Sequence, residues 1–76
     1  MRELVETIAR ALVDEPDAVR VEERAGDPTT YELSVAHADL GKVIGRQGKT
    51  ARAIRILLAA RAEGEGRRAT LEILDG

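Results

Sequence analysis

The 76-residue sequence lacks cysteine and has only one aromatic residue, and both features limit what the chain can be. Without cysteine, no disulfide and no zinc site with thiolate ligands can stabilise the fold. No apolar run approaches the roughly 20 residues that a membrane-spanning helix requires, and the N-terminus lacks the apolar stretch of a signal peptide. We therefore expect one small cytoplasmic domain over residues 1–76, with no metal, no cofactor and no membrane partner.

A single aromatic side chain, Tyr31, cannot support the extensive base stacking that many single-strand binders use. It alternates with Leu33 and Val35, as in a strand with one buried face, so we expect it in the core. The only histidine, His37, has no second histidine or cysteine with which to bind a metal, so we expect a surface position. Neither residue indicates a catalytic site, and we expect no enzymatic activity.

Charge is distributed unevenly along a chain whose net charge is only −2. Residues 1–39 hold 4 basic and 10 acidic residues, whereas residues 40–68 hold 8 basic and 2 acidic residues. The small net charge therefore conceals a basic segment that could attract phosphate groups. On charge alone, a solvated arginine-rich helix explains this segment equally well.

Hydrophobic spacing predicts three helical and three extended segments. They are a helix over 3–13, strands over 18–24 and 29–37, a short helix over 40–44, a helix over 49–62 and a strand over 68–74. Pro16 ends the first helix because the residue before a proline avoids the helical region, and the turn 25–28 joins the two strands into a hairpin. This order favours an α+β sandwich with the helices on one face of a three-stranded sheet.

Two details of the helices can also be predicted. Asp39 is a residue type that caps the start of a helix, here the short one. In the long helix, one face is expected to pack on the core: Ala51, Ile54, Leu57, Leu58 and Ala62. Lys49, Arg52 and Ile56 fall on the other face, with Arg55 at the border.

Gly45 and Gly48 bracket a tight loop between the short and the long helix. Glycine allows backbone conformations closed to other residues and lets a ligand approach the chain closely. The long helix starts just after Gly48, so its unpaired N–H groups and positive dipole end can hold a phosphate. Arg46 and Lys49 add positive charge at the same place.

Residues 43–48, Val-Ile-Gly-Arg-Gln-Gly, resemble the signature of KH domains, whose Gly-x-x-Gly loop clamps the backbone of about four single-stranded nucleotides. The element order resembles the type II KH domain, α-β-β-α-α-β, with the helices on one face of a mixed sheet. The length and the segment 41–54 resemble small stand-alone bacterial KH proteins of the KhpA family. The resemblance implies binding of single-stranded RNA, in post-transcriptional regulation or RNA chaperoning, and a homodimer or a heterodimer with a KhpB-like KH protein.

The resemblance also implies roles for individual residues. Gly45 and Gly48 would allow close approach of the RNA backbone, and Ile44, helped by Val43, would form the floor of the base groove. Three residues would contact phosphate or sugar: Arg46, Gln47 and Lys49. Three more would extend the positive track: Lys42, Arg52 and Arg55.

The loop also has two other interpretations. Gly48-Lys49-Thr50 is similar to the end of a nucleotide-binding P-loop, but that motif needs a glycine where this chain has Val43. A purely structural turn between two helices also explains both glycines. Two other function classes stay open: a protein-interaction module with secondary RNA contact, and a binder of ribosomal RNA during ribosome assembly.

The outward side of the long helix carries Ile56, with Ala59 and Ala60 nearby. One exposed isoleucine needs no explanation, but an apolar strip on so short a chain is typical of a partner surface. This hypothesis predicts dimers in solution.

Overall fold

Residues 1–75 are described by a computed structural model, and they form three helices and three strands in the predicted order. The elements are α1 (Arg2–Leu12), β1 (Arg20–Arg24), β2 (Thr29–Ser34), α2 (Leu40–Ile44), α3 (Lys49–Gly64) and β3 (Ala69–Ile73). Single 3₁₀ turns span Pro16–Ala18, His37–Asp39 and Arg46–Gly48. Among the described residues, no helix is both long and apolar enough to cross a membrane.

The sheet has the strand order β1-β2-β3, with β2 at its centre. β1 pairs with β2 in antiparallel orientation and β3 pairs with β2 in parallel orientation, which confirms the mixed sheet. A parallel pair needs a long crossover, and the connection through α2 and α3 provides it. Consequently the glycine loop lies in the middle of the crossover between the two strands.

Alternation separates a buried face of the sheet from a more exposed one; it is complete in β2 and breaks in β1 at the exposed Glu23. Tyr31 and Leu33 are buried at the centre of the core, as predicted, and Val21 and Leu71 flank them. The opposite face is charged. In the strand register, Glu32 of the central strand lies between Glu22 of β1 and Glu72 of β3.

Each long helix contributes one stripe of buried residues to the core. Val5 and Ala9 come from α1, whereas Ala51, Ile54, Leu58 and Ala62 come from α3. The fully buried Leu58 alone contributes about 1.5–3 kcal/mol of transfer free energy. The prediction that Leu57 faces the core was wrong, because it lies beside the buried stripe and is 52% exposed.

The connection between β2 and α2 departs from the sequence prediction. β2 ends at Ser34 rather than at residue 37, and the chain turns through a 3₁₀ segment containing the exposed His37. Asp39 makes no capping hydrogen bond to α2. Its φ and ψ of −96° and −3° are close to helical values, whereas a capping residue is normally extended. Its carboxylate is instead buried, and Oδ2 accepts a hydrogen bond from the backbone N–H of Glu15 at 3.1 Å.

Candidate nucleic-acid interface

The glycine loop, residues 45–48, reverses the chain between α2 and α3 with an unusual backbone. Gly45, Gln47 and Gly48 all have positive φ, at 76°, 57° and 74°. The turn is closed by two hydrogen bonds, one from the N–H of Gly45 to the carbonyl of Gly41 at 2.8 Å and one from Gly48 to Gly45 at 3.1 Å. The loop therefore has a defined conformation built on the end of α2.

Gly45 and Gly48 are required for different reasons. A Cβ atom on Gly45 would lie 2.6 Å from the Cβ and 2.8 Å from the backbone nitrogen of Thr50, far closer than real side chains approach. A Cβ on Gly48 would meet nothing within 4 Å, so only its positive φ favours glycine there. A side chain is therefore excluded at position 45 by packing and is disfavoured at position 48 by backbone conformation.

Gln47 is the only residue other than glycine with positive φ among residues 1–75. This left-handed conformation costs a non-glycine residue about 1–3 kcal/mol when the surrounding structure enforces it. The side chain is exposed at the tip of the loop. The chain thus tolerates backbone strain at the point where it presents a polar side chain to solvent.

The first turn of α3 begins at the loop without a capping side chain. Its N-cap residue is Gly48, and no side-chain hydrogen bond caps the helix. The first N–H groups of a helix have no partner within it and carry the positive end of its dipole. Such a terminus, next to a glycine turn, suits an anionic group.

Three exposed cations surround this helix start: Arg46, Lys49 and Arg52. Within residues 1–75 none of them forms a salt bridge. Cations elsewhere commonly do, including Arg10 with Glu6 and Arg24 with Glu32. Positive charge is therefore left uncompensated at the glycine loop.

Lys42 differs from these three because it is already paired. Its Nζ lies 3.3 Å from Oδ2 of Asp14 and 3.6 Å from Oδ1 of Asp39. The hydrogen bond and charge of Asp14, followed by the charge of Asp39, raise the pKa of Lys42 above its ordinary value. Two carboxylates thus compensate the charge that the sequence assigned to the positive track.

Arg55 lies on the second turn of α3 and reaches β3. Its Nε donates a hydrogen bond to the carbonyl oxygen of Leu71 at 3.3 Å. β3 is an edge strand, so this carbonyl would otherwise lack a partner in the sheet. The predicted position at the border of the helix face is confirmed, and the guanidinium also links helix and sheet.

The two apolar residues before the loop have opposite environments. Ile44 is 37% exposed and is available to a ligand, as its predicted role requires. Val43 is 0% exposed and packs in the core, so the expectation that it contacts bases was wrong. Adjacent residues of a helix point about 100° apart, so Val43 can face the core while Ile44 faces outward.

Residues that the sequence did not assign to the site also shape it. Thr50 closes the inner side of Gly45, and Asp14 and Asp39 hold Lys42. The spacing of Asp39 and Lys42, three residues apart across a helix start, was a readable signal for that pair. The contact with Asp14 joins distant parts of the chain and has no local signal.

Known proteins resemble this chain over almost its whole length. The family model for the KH domain of KhpA/KhpB matches residues 2–73. The chain is 55% identical over 75 residues to the RNA-binding protein KhpA of Caldanaerobacter subterraneus subsp. tengcongensis, covering 97% of this chain and 100% of that protein. It is 53% identical over 76 residues to the RNA-binding protein KhpA of Halalkalibacterium halodurans, covering 99% and 100% of the two.

A solved structure shares the fold at much lower sequence identity. The crystal structure of a variant of Aquifex aeolicus Era bound to GDP and aluminium fluoride superposes with a TM-score of 0.69 and 21% identity. The match covers 95% of this chain and 28% of that one, and it confirms the α+β architecture. The family model and the two relatives, which align over almost the whole chain, show the family: the chain belongs to the KhpA/KhpB KH domain family.

Proposed function

We propose that this chain binds single-stranded RNA without catalysis, with the glycine loop and the start of α3 holding the phosphate backbone. The observation that carries the proposal is the uncompensated charge of Arg46, Lys49 and Arg52 beside a loop of positive φ. The name of the relatives, RNA-binding protein KhpA, supports RNA as the ligand. The cellular role that follows is post-transcriptional regulation or RNA chaperoning in the cytoplasm.

Binding on this surface has a physical rationale for each group. Gly45 and Gly48 let the RNA backbone come close to the unpaired N–H groups of α3, and Arg46 and Gln47 extend from the same loop. Ile44 offers an apolar surface to a base, and no exposed aromatic adds stacking. We therefore expect modest affinity and weak base selectivity, with phosphate contacts supplying most of the free energy.

The residues of the positive track divide according to their partners. Arg52 extends the unpaired charge along α3, and Lys49 lies at its first position. Lys42 and Arg55 remain part of the proposed surface, but each must weaken an internal contact before it can bind phosphate. We therefore expect them to contribute less affinity than Arg46 and Arg52.

The sharpest test places acidic groups in the loop itself. The double variant Arg46→Asp/Gln47→Asp should lower the affinity for labelled single-stranded RNA at least about tenfold, because two carboxylates would face the phosphates. Fluorescence anisotropy measures the affinity, and circular dichroism checks the fold.

A matched control changes the same net charge on α1. Arg2→Asp/Thr7→Asp also lowers the net charge by three, at two exposed positions in the first turns of that helix. Equal losses for the two double variants would indicate a general charge effect. Unchanged binding by the loop variant would refute the proposed site.

We also propose that α3 carries a surface for self-association. Ala53, Ile56, Leu57 and Ala60 recur at helical spacing and are all exposed, with Ile56 63% exposed. Ala53, Ile56 and Ala60 lie on the side of α3 opposite its buried stripe, and Leu57 lies between the two sides. An apolar strip of this kind is typical of an interaction surface.

A second copy of this chain fits the strip by charge as well as by apolar character. Lys49 and Glu63 flank the strip, seven residues on either side of Ile56. In an antiparallel pair of α3 helices centred on Ile56, each Lys49 therefore lies opposite Glu63 of the other copy, and Arg46 and Arg52 remain the free cations beside the loop. A KhpB-like KH protein is the other occupant that the family suggests.

Sedimentation at tens of micromolar distinguishes these occupants. The wild type should sediment as a dimer and Ile56→Asp as a monomer, whereas Leu12→Asp on α1 should remain dimeric because Leu12 lies outside the strip. A monomeric wild type would contradict the homodimer. Loss of cellular function in Ile56→Asp with RNA binding retained would favour a protein-interaction module.

A further inference from the structure

Asp39 is the only charged residue that is buried within residues 1–75, and its side chain is 2% exposed. A buried carboxylate is costly unless hydrogen bonds and an opposite charge replace its hydration. Nothing in the proposed RNA contact requires a negative group here, since negative charge repels phosphate. The position of Asp39 therefore needs an explanation of its own.

The partners of Asp39 come from two separate parts of the chain. Oδ2 accepts the backbone N–H of Glu15, 24 residues away, in the connection between α1 and β1. Oδ1 faces Nζ of Lys42 at 3.6 Å, and Lys42 in turn contacts Asp14 at 3.3 Å. The carboxylate thus ties the α1–β1 connection to the start of α2.

α2 depends on such a tie because it is short. It has five residues, a length at which a helix is not stable alone, and Val43 is its only buried residue. The helix ends at Ile44 and the glycine loop follows directly, so a tilt of α2 would move the loop. Val43 and the partly buried Leu40 anchor only one face of the helix, and the polar tie through Asp39 fixes its start from another direction.

We infer that Asp39 is a positioning residue: through Glu15 and Lys42 it fixes α2 and thereby holds the glycine loop in the conformation that binds RNA. The inference rests on the proposed function for the RNA part and on the geometry alone for the ordering of α2. It assigns Lys42 mainly to this tie rather than to phosphate contact. Asp39 itself touches no RNA.

The sign of the effect on RNA affinity separates positioning from electrostatics. Removing a carboxylate raises the net charge by one, which by itself strengthens binding to a polyanion. We expect the opposite, with Asp39→Ala weakening RNA binding about tenfold through a misplaced loop. Asp39→Asn keeps an oxygen acceptor for Glu15 and should lose only about threefold.

Asp17→Asn provides a matched control, because it makes the same charge change at an exposed position of the neighbouring 3₁₀ turn. Its affinity should equal that of the wild type or slightly exceed it. Anisotropy is measured at a temperature where circular dichroism shows each variant folded. Tighter or unchanged binding by Asp39→Ala would overturn the inference.

Amide hydrogen exchange tests the ordering of α2 without RNA. In Asp39→Ala the amides of Ile44 and Gly45 should exchange at least about tenfold faster, while Leu58 in α3 keeps its protection. Equal acceleration at Leu58 would indicate general destabilisation and would contradict a positioning role. If the loop variant Arg46→Asp/Gln47→Asp binds RNA normally, the proposed site fails, and exchange at α2 still decides the role of Asp39.

Discussion

The two ends of α3 are both rich in arginine, but they differ in whether acidic residues pair with these arginines. At the C-terminal end, Arg61 contacts Glu65 at 3.0 Å and Arg68 contacts Asp27 at 2.9 Å. At the N-terminal end, Arg46 and Arg52 have no acidic partner within residues 1–75. The C-terminal end balances its charge with acidic residues of the same chain, whereas the cations of the N-terminal end remain available to a ligand.

This difference shows that charge content alone does not identify a binding surface. The basic segment 40–68 includes both ends of the helix, although only one combines free cations with unpaired backbone N–H groups. The two ends also differ in their glycines. A Cβ added to Gly45 would collide with Thr50, whereas a Cβ added to Gly64 would meet nothing within 4 Å. Substitutions at matched positions can therefore separate binding from stability.

Replacing Gly45 with alanine should have the largest effect on both properties. The added methyl group collides with the Thr50 backbone, so we expect the free energy of unfolding to fall by about 1–3 kcal/mol and RNA affinity to fall at least about tenfold. Gly64→Ala, at the other end of the helix, should leave affinity unchanged and raise stability by up to about 1 kcal/mol. Urea denaturation and anisotropy measure the two quantities. Normal RNA binding by a folded Gly45→Ala would show that the RNA does not approach this glycine.

Removing arginines in pairs tests the difference in compensation directly. Arg46→Ala/Arg52→Ala should weaken RNA binding on the order of tenfold and make the slope of log K against log salt shallower by about 1.4. Arg67→Ala/Arg68→Ala removes the same charge at the other end and should change affinity less than about threefold, because its cations already have partners. Anisotropy over a salt series gives both values. Equal slopes for the two variants would show that the RNA does not distinguish the ends of α3.

The salt dependence of the wild type gives the number of phosphates held. If the loop and the start of α3 neutralise about three phosphates of a single strand, the slope should be about −2. The same titration measures it. An affinity independent of salt would contradict a phosphate clamp.

The smallest expected effect concerns the compensated end. Arg68, by its hydrogen bond and its charge, lowers the pKa of Asp27 below the ordinary value. The ionised form is thus favoured in the folded state, and the pair contributes stability above the pKa of the unfolded chain that is lost as the pH falls through the folded-state pKa. In Arg68→Gln, the pKa of Asp27 should return toward its ordinary value, as NMR titration of its carboxyl carbon can measure. A low pKa retained in this variant would mean that Arg68 is not the cause.

The sequence predicted the element order and most of the core because local spacing determines both. Alternation placed Tyr31 and Leu33 inside the sheet, and glycine spacing located the loop. Leu57 was misassigned because it lies three residues from the buried Ile54 and fits the same period. Only packing against the sheet decides whether a residue at the edge of the buried stripe is covered or exposed.

The parts of the site that escaped prediction depend on contacts between distant residues. The approach of Thr50 to Gly45 arises from a loop conformation that no period encodes. Asp39 was predicted as a cap from its residue type, but its backbone angles turn it toward Glu15. Lys42 was assigned to the RNA surface because its partner Asp14 is distant in sequence. Net charge can be counted in the sequence, whereas the pairing of a charge with a distant partner depends on the tertiary structure.

The position of Ile56 halfway along α3 has a consequence for how strongly two copies could hold one RNA. In an antiparallel pair centred on this residue, the two copies of Gly48 lie about 24 Å apart along the helix axes, since each residue rises 1.5 Å. A strand long enough to reach both loops would bind the second without a further diffusional encounter. The affinity of the pair would then depend on RNA length, because the distance between the two loops sets the shortest strand that can bridge them.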